Sequence, residues 1–137
     1  MPKKKHSVSD NKLSTLWAKA VKAKYKRCPV SRRCFDLQAH HIIAKGRQCR
    51  FALRWDIRNG VPLSPDIHRG LHDGDLYINK AVLEYVERRG DLEHLQLAKN
   101  LLKQDFLKEL GLTEDEYRLK LKAELIEIIC EGCDELH

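Results

Sequence analysis

Leu37-Gln38-Ala39-His40-His41-Ile42-Ile43, followed after an Arg-rich connector by Asn59-Gly60-Val61-Pro62-Leu63-Ser64-Pro65-Asp66-Ile67-His68-Arg69-Gly70-Leu71-His72, decides how this chain is read. Four of its seven histidines fall here. Phe35 to Ile43 predicts a strand. Successive strand side chains alternate, so Leu37, Ala39 and His41 face one way and Gln38, His40 and Ile42 the other. The adjacent histidines must therefore point to opposite faces. Val61 to Leu63 predicts a short second strand paired back on the first. Ser64-Pro65-Asp66 then starts a helix, with Ser as N-cap, Pro at the first helical position and an acid in the first turn. His68 and His72, four apart, share a face of that helix.

Outward from this stretch, residues 44 to 60 predict a long irregular connector; connectors of that length are usually functional or disordered, and Phe51, Leu53 and Trp55 as anchors favour order. Asn59-Gly60 by itself is foremost a turn signal. Residues 1 to 9 are expected to form a polar, basic, disordered arm. From Asp10, which stands where an N-cap belongs, Leu13, Leu16, Trp17, Ala20, Val21 and Lys24 recur at helical spacing, and Lys12, Lys19, Lys22 and Lys26 lie on the opposite face. On the C-terminal side, helices are expected over Asn79 to Arg89 and Asp91 to Leu110. A last one is opened by the capping box Thr113-Glu114-Asp115-Glu116. The expected fold class is α+β: a short two-stranded antiparallel sheet flanked by an N-terminal helix and several C-terminal helices. Residues 10 to 137 form a single domain, with a core over 35 to 74 and a helical part over 77 to 133.

The 137 residues carry a formal charge of +6, which conceals a division. Residues 1 to 74 hold 17 Lys/Arg against 5 Asp/Glu, a net +12, whereas residues 75 to 137 hold 9 against 15, a net −6. A basic half that also holds the histidines points to a polyanion, because each neutralised phosphate releases condensed counterions. Five unevenly spread cysteines are too few for a secreted disulfide framework, and no run approaches the roughly 20 apolar residues that span a bilayer. A soluble protein of a reducing, cytoplasmic compartment is expected, with no membrane partner.

A strand with His-His, a connector, a second strand and a helix with His-x-x-x-His make a ββα arrangement that resembles the HNH (His-Me finger, ββα-metal) endonucleases. Leu37 to Ile43 is similar to the family's first motif, Leu53-Arg54-Trp55-Asp56-Ile57-Arg58-Asn59-Gly60-Val61-Pro62-Leu63 to its central segment, and His68-x-x-x-His72 to its last motif. The helical C-terminal part, with Tyr117-Arg118-Leu119-Lys120-Leu121-Lys122, is similar in layout to phage NinG recombination proteins, which implies a phage or recombination-associated role. The resemblance implies a catalytic set of His40, His41, Asn59 and His68. In it His41 is the general base, His40 and His68 are metal ligands, and Asn59 fixes the loop and orients the base. His72 is either a third ligand or a phosphate contact. Arg54, Lys45, Arg47, Arg50 and Arg58 are the candidate nucleic-acid contacts, and the implied cofactor is one Mg²⁺ or Mn²⁺ per site.

Many relatives carry two Cys pairs for a structural zinc, the second just before the helical His, where Ser64 and Ile67 stand here. Cys28 and Cys34 are separated by five residues, beyond the usual knuckle spacing, while Cys130 and Cys133 have it but lie at the far end of the chain. Structural Zn²⁺ on these four is the alternative to ordinary reduced thiols with helices as the frame. The expected function is metal-dependent hydrolysis of DNA phosphodiesters, nicking as a monomer or cutting both strands as a homodimer. The alternative is a nucleic-acid-binding module that keeps the HNH fold without catalysis.

Overall fold

Strand β1 (Gln38–His41) pairs antiparallel with β2 (Gly60–Leu63) in the register Gln38↔Leu63, Ala39↔Pro62, His40↔Val61 and His41↔Gly60. The structure, a computed structural model, describes residues 6–44 and 50–134, with side chains through 132. Around this sheet lie α1 (Asp10–Tyr25), α2 (Phe51–Arg54), a 3₁₀ turn over Ile57–Asn59, α3 (Pro65–His72), α4 (Leu76–Arg89), α5 (Leu92–Ala98), α6 (Lys103–Leu110) and α7 (Glu114–Asp134). The class is mixed α+β, mostly helical, with one small two-stranded antiparallel sheet. Among the described residues no helix is long and apolar enough to cross a membrane.

The sheet lies between two apolar clusters. On the His41 side, Leu13, Leu16, Trp17, Ala20 and Val21 of α1 meet Phe51, Trp55 and the Tyr117, Leu121 and Leu125 stripe of α7. On the His40 side, Val61 and Leu63 of β2 join Cys28, Leu53, Val82 and Val86 of α4, and Leu95 and Ala98 of α5. Gly60 lets α1 press onto the strand: a Cβ there would stand 2.3 Å from Val21 Cγ2 and 3.0 Å from the Trp17 ring. Two indole N–H groups lock this layer, Trp17 Nε1 donating to the Asp56 carbonyl at 2.9 Å and Trp55 Nε1 to Ser14 Oγ at 3.2 Å.

Several boundaries differ from the expected ones. The strand is four residues and not nine, because Asp36 adopts a left-handed φ of 52° that no strand can contain. Leu37 accordingly packs with the cluster opposite to that of Ala39. Ser9, not Asp10, caps α1, its side chain accepting the Lys12 N–H, and Lys24 is exposed. The connector is ordered where it is described: α2 and the 3₁₀ turn fill its second half, and Asp56 caps the turn through the Arg58 N–H at 2.9 Å. Helix α4 begins at Leu76 under an Asp75 cap. Leu76 and Tyr77 face solvent, so apolar spacing does not reveal that first turn. The expected helix over Asp91 to Leu110 is two, α5 and α6. Leu95 and Ala98 serve one cluster and Phe106 packs on the other, so one straight rod cannot satisfy both. The capping box of α7 forms as expected, with Glu116 N–H on Thr113 Oγ1 and Thr113 N–H on Glu116 Oε1.

Candidate active site

Strand alternation delivers His40 to the α3 side of the sheet and His41 to the α1 side. His40 Nδ1 lies 3.2 Å from His68 Nε2, and His72 Nε2 lies 3.1 Å from the same atom. All three side chains offer a ring nitrogen within 4.8 Å of the others, the one group of its kind among the described residues. Nitrogens bound to a common transition ion at about 2.0–2.1 Å stand roughly 3–3.5 Å apart, so two of the three spacings need little adjustment. His68 Nδ1 donates to Gln38 Oε1 at 2.6 Å, which leaves the Nε2 lone pair aimed at His40 and His72. Burial, reinforced by the imidazoles of His68 and His72, pushes His40 down to about 4. Burial and then His72 lower His68. Both rings are thus neutral near pH 7, the form that binds cations.

On the other face, His41 stacks on Trp17 with ring centroids 3.9 Å apart and planes 12° from parallel. Its Nε2 lies 2.9 Å from the Arg54 carbonyl oxygen. A proton on Nε2 donates to that carbonyl and leaves the lone pair on Nδ1. Asn59, fully buried, holds the surrounding main chain. Its Oδ1 accepts the Ile43 N–H at 2.7 Å, and its Nδ2 donates to the carbonyls of Ile43 at 2.9 Å and Leu53 at 3.1 Å. Asn59 closes no Asn-Gly hairpin turn; it ends the 3₁₀ turn and ties the exit of β1 to α2, one residue before the carbonyl that holds His41.

The candidate phosphate contacts are placed unequally. Arg50 is exposed, with Nη1 on the Ala44 carbonyl at 3.2 Å. Arg54 packs its guanidinium 4.7 Å from the Trp55 ring and pairs with Asp10 at 3.2 Å. Arg58 grips its own turn's Asp56 with Nε and Nη2. Lys45 and Arg47 lie outside the described residues. Cys28 is buried beside Ser31 and Ser64, Cys34 and Cys130 are exposed, and among the described residues no cysteine belongs to a metal-holding group. The Cys133 side chain lies outside them.

Three participants escape a reading by motif. Gln38 sits two residues before His40, on the same strand face, and period-two spacing carried that signal. Trp17 and Asp10 come from α1, where nothing local marks them as neighbours of His41 and Arg54. Comparison with known proteins finds no family model, no curated protein and no solved structure that matches this chain.

Proposed function

We propose that this chain is a metal-dependent endonuclease of the HNH (ββα-metal) kind, acting on DNA phosphodiesters. The observation that carries the reading is the division of the two adjacent histidines, His40 toward two further imidazoles and His41 toward a main-chain carbonyl that fixes its tautomer. Phosphodiester hydrolysis needs those two functions close together and separately held. A water beside the substrate phosphorus gives its proton to His41 Nδ1 as its oxygen forms the new P–O bond and the bond to the leaving oxygen breaks. His40, His68 and His72 would hold the divalent cation, which supplies charge stabilisation to the non-bridging and leaving oxygens. Gln38 keeps His68 turned for that task, and Asn59 keeps the Arg54 carbonyl under His41. The cation is Mg²⁺ or Mn²⁺. Both ions favour oxygen ligands and three imidazoles are more typical of zinc or iron, but of the two Mn²⁺ accepts ring nitrogen more readily than Mg²⁺.

Incubation of supercoiled plasmid with the protein and Mn²⁺ or Mg²⁺ tests the reading. Relaxed circles that disappear with EDTA and with His41→Ala are expected. A monomer has one such centre and nicks; linear product requires a second copy. DNA binding that survives EDTA, with no nicks at any metal concentration, would instead make the chain a binding module with an inactive centre.

A further inference from the structure

We propose that the segment leading into β1 is a binding site for an unpaired nucleotide, its base stacked on Phe35 and its phosphate against Lys22 and Lys26. Phe35 is 65% exposed although it is one of only three phenylalanines in the chain. Its ring forms one wall of a shallow hollow of about 340 Å³ lined by Lys22, Lys26, Cys34, Phe35, Asp36 and Leu37. The Arg33 guanidinium lies 4.3 Å from the ring centroid and pairs with Asp36 at 3.0 Å, so the one acid among the described residues that line the hollow is paired. A lone exposed aromatic is ordinary. An aromatic plate beside two lysines and an Arg33–Asp36 pair is a composition that single-stranded nucleic acid selects, since every base has a π-face and every link a phosphate.

The backbone gives a second, independent reason. The non-glycine residues with positive φ among the described residues are Lys26 at 65°, Arg32 at 68° and Asp36 at 52°, all in this segment, and Lys26 and Asp36 line the hollow itself. Lys26, with its positive φ, is the C-cap of α1 and Asp36 turns the chain into β1, so these two residues fix the ends of the segment that carries Phe35. The hollow is also next to the histidine cluster along the chain: Leu37 lines it, and the next residue, Gln38, is bonded to His68. Phe35 and His40 are five residues apart, at most about 17 Å of extended main chain. Bases inside a duplex have both faces covered by their neighbours, so the site selects an unpaired or terminal base. As a determinant of cleavage this rests on the endonuclease reading; as a binding site it does not.

The test uses the full chain in EDTA, with a labelled oligothymidylate of about 12 nucleotides and a duplex of equal length as probes. Phe35→Ala is expected to weaken oligothymidylate binding roughly five- to a hundredfold while changing duplex binding less than twofold, and Phe35→Trp to restore the affinity. Saturating oligothymidylate should slow N-ethylmaleimide alkylation of Cys34 and leave that of Cys130, also exposed, unchanged. Unaltered oligothymidylate affinity in Phe35→Ala, a loss shared equally with duplex, or an unprotected Cys34 would each overturn the proposal. Because no metal or cleavage enters the measurement, its failure is distinct from a failure of the plasmid assay.

Discussion

His41 Nε2 meets the Arg54 carbonyl oxygen at 2.9 Å, so a main-chain group takes part in orienting the candidate base. The carbonyl is in turn positioned through Asn59, which binds the adjacent Leu53 carbonyl. The Arg54 guanidinium points elsewhere, to Asp10 and Trp55.

Substitutions at these positions should therefore separate. His41→Ala is expected to lower the nicking rate at saturating DNA by roughly 10²–10⁴, the range for removal of a general base, with DNA affinity unchanged. Arg54→Ala keeps the carbonyl and should act mainly through KM. Single-turnover nicking over a range of protein concentrations measures both effects. Equal losses of rate in the two variants would contradict the assignment.

Asn59→Leu, nearly isosteric, removes the side-chain partner of the half-buried Ile43 N–H and carbonyl, while the Leu53 carbonyl keeps its main-chain donors at Trp55 and Asp56. An unmet buried polar group costs about 1–3 kcal/mol, so a destabilisation of roughly 2 kcal/mol is expected in urea unfolding. Asn59→Asp can still accept from Ile43 N–H but cannot donate to either carbonyl, and should fall between Asn59→Leu and the parent.

The part of this site that was legible in the sequence is the part built from local periodicity. Strand alternation separated His40 from His41, and helical spacing joined His68 to His72, because those geometries follow from a two-residue and a 3.6-residue repeat. The same repeat assigned the buried face of α1. What was not legible depends on tertiary approach. Ser9 outcompetes Asp10 as cap by one residue, the helix over 91 to 110 breaks because its halves serve different clusters, and Trp17 reaches His41 only because Gly60 admits α1. The resemblance implies that Asn59 fixes the loop, while Asn-Gly by itself reads as a turn; the particular bonds of its side chain to Ile43 and Leu53 require the folded connector.

Gly60→Ala tests that close approach. The added methyl would meet Val21 and Trp17 well inside contact distance, and overpacking of this kind typically costs about 1–3 kcal/mol. The strain falls on the helix that carries the Trp17 ring stacked on His41, so a loss of nicking rate is expected alongside a lower Tm. Paired Val21→Ala should recover part of both. Recovery of Tm without recovery of rate would show that the Trp17 stack is not needed to hold His41.

Cation binding should discriminate among the three imidazoles. Calorimetric titration of the parent with Mn²⁺ is expected to give one site, with Mg²⁺ weaker. His40→Ala and His68→Ala should abolish it, and His72→Ala, removing the exposed member, should weaken it least. Gln38→Ala leaves every ligand in place but frees His68 to rotate, and loss of such an orienting partner typically costs roughly 10- to 100-fold in affinity. Mn²⁺ bound equally well by Gln38→Ala would remove Gln38 from the site.

The half-buried His40 also ties stability to pH in the metal-free protein. Its ordinary value is near 6.5, and burial with two imidazole neighbours lowers it to about 4 in the folded state. Between these values the unfolded chain binds a proton at this residue that the folded one refuses, so stability rises with pH across that window. In EDTA, the folded state should therefore keep its full contribution from His40 above about pH 6.5 and lose it progressively as pH falls toward 4. His68 acts in the same direction, its value also being lowered. Urea midpoints taken from pH 4 to pH 8 measure the slope. His40→Gln cannot take up a proton, so it should flatten the slope and lie closest to the parent at the acid end. A slope of the opposite sign in the parent would mean that His40 is protonated in the folded state, and a protonated ring cannot lend Nδ1 to a cation.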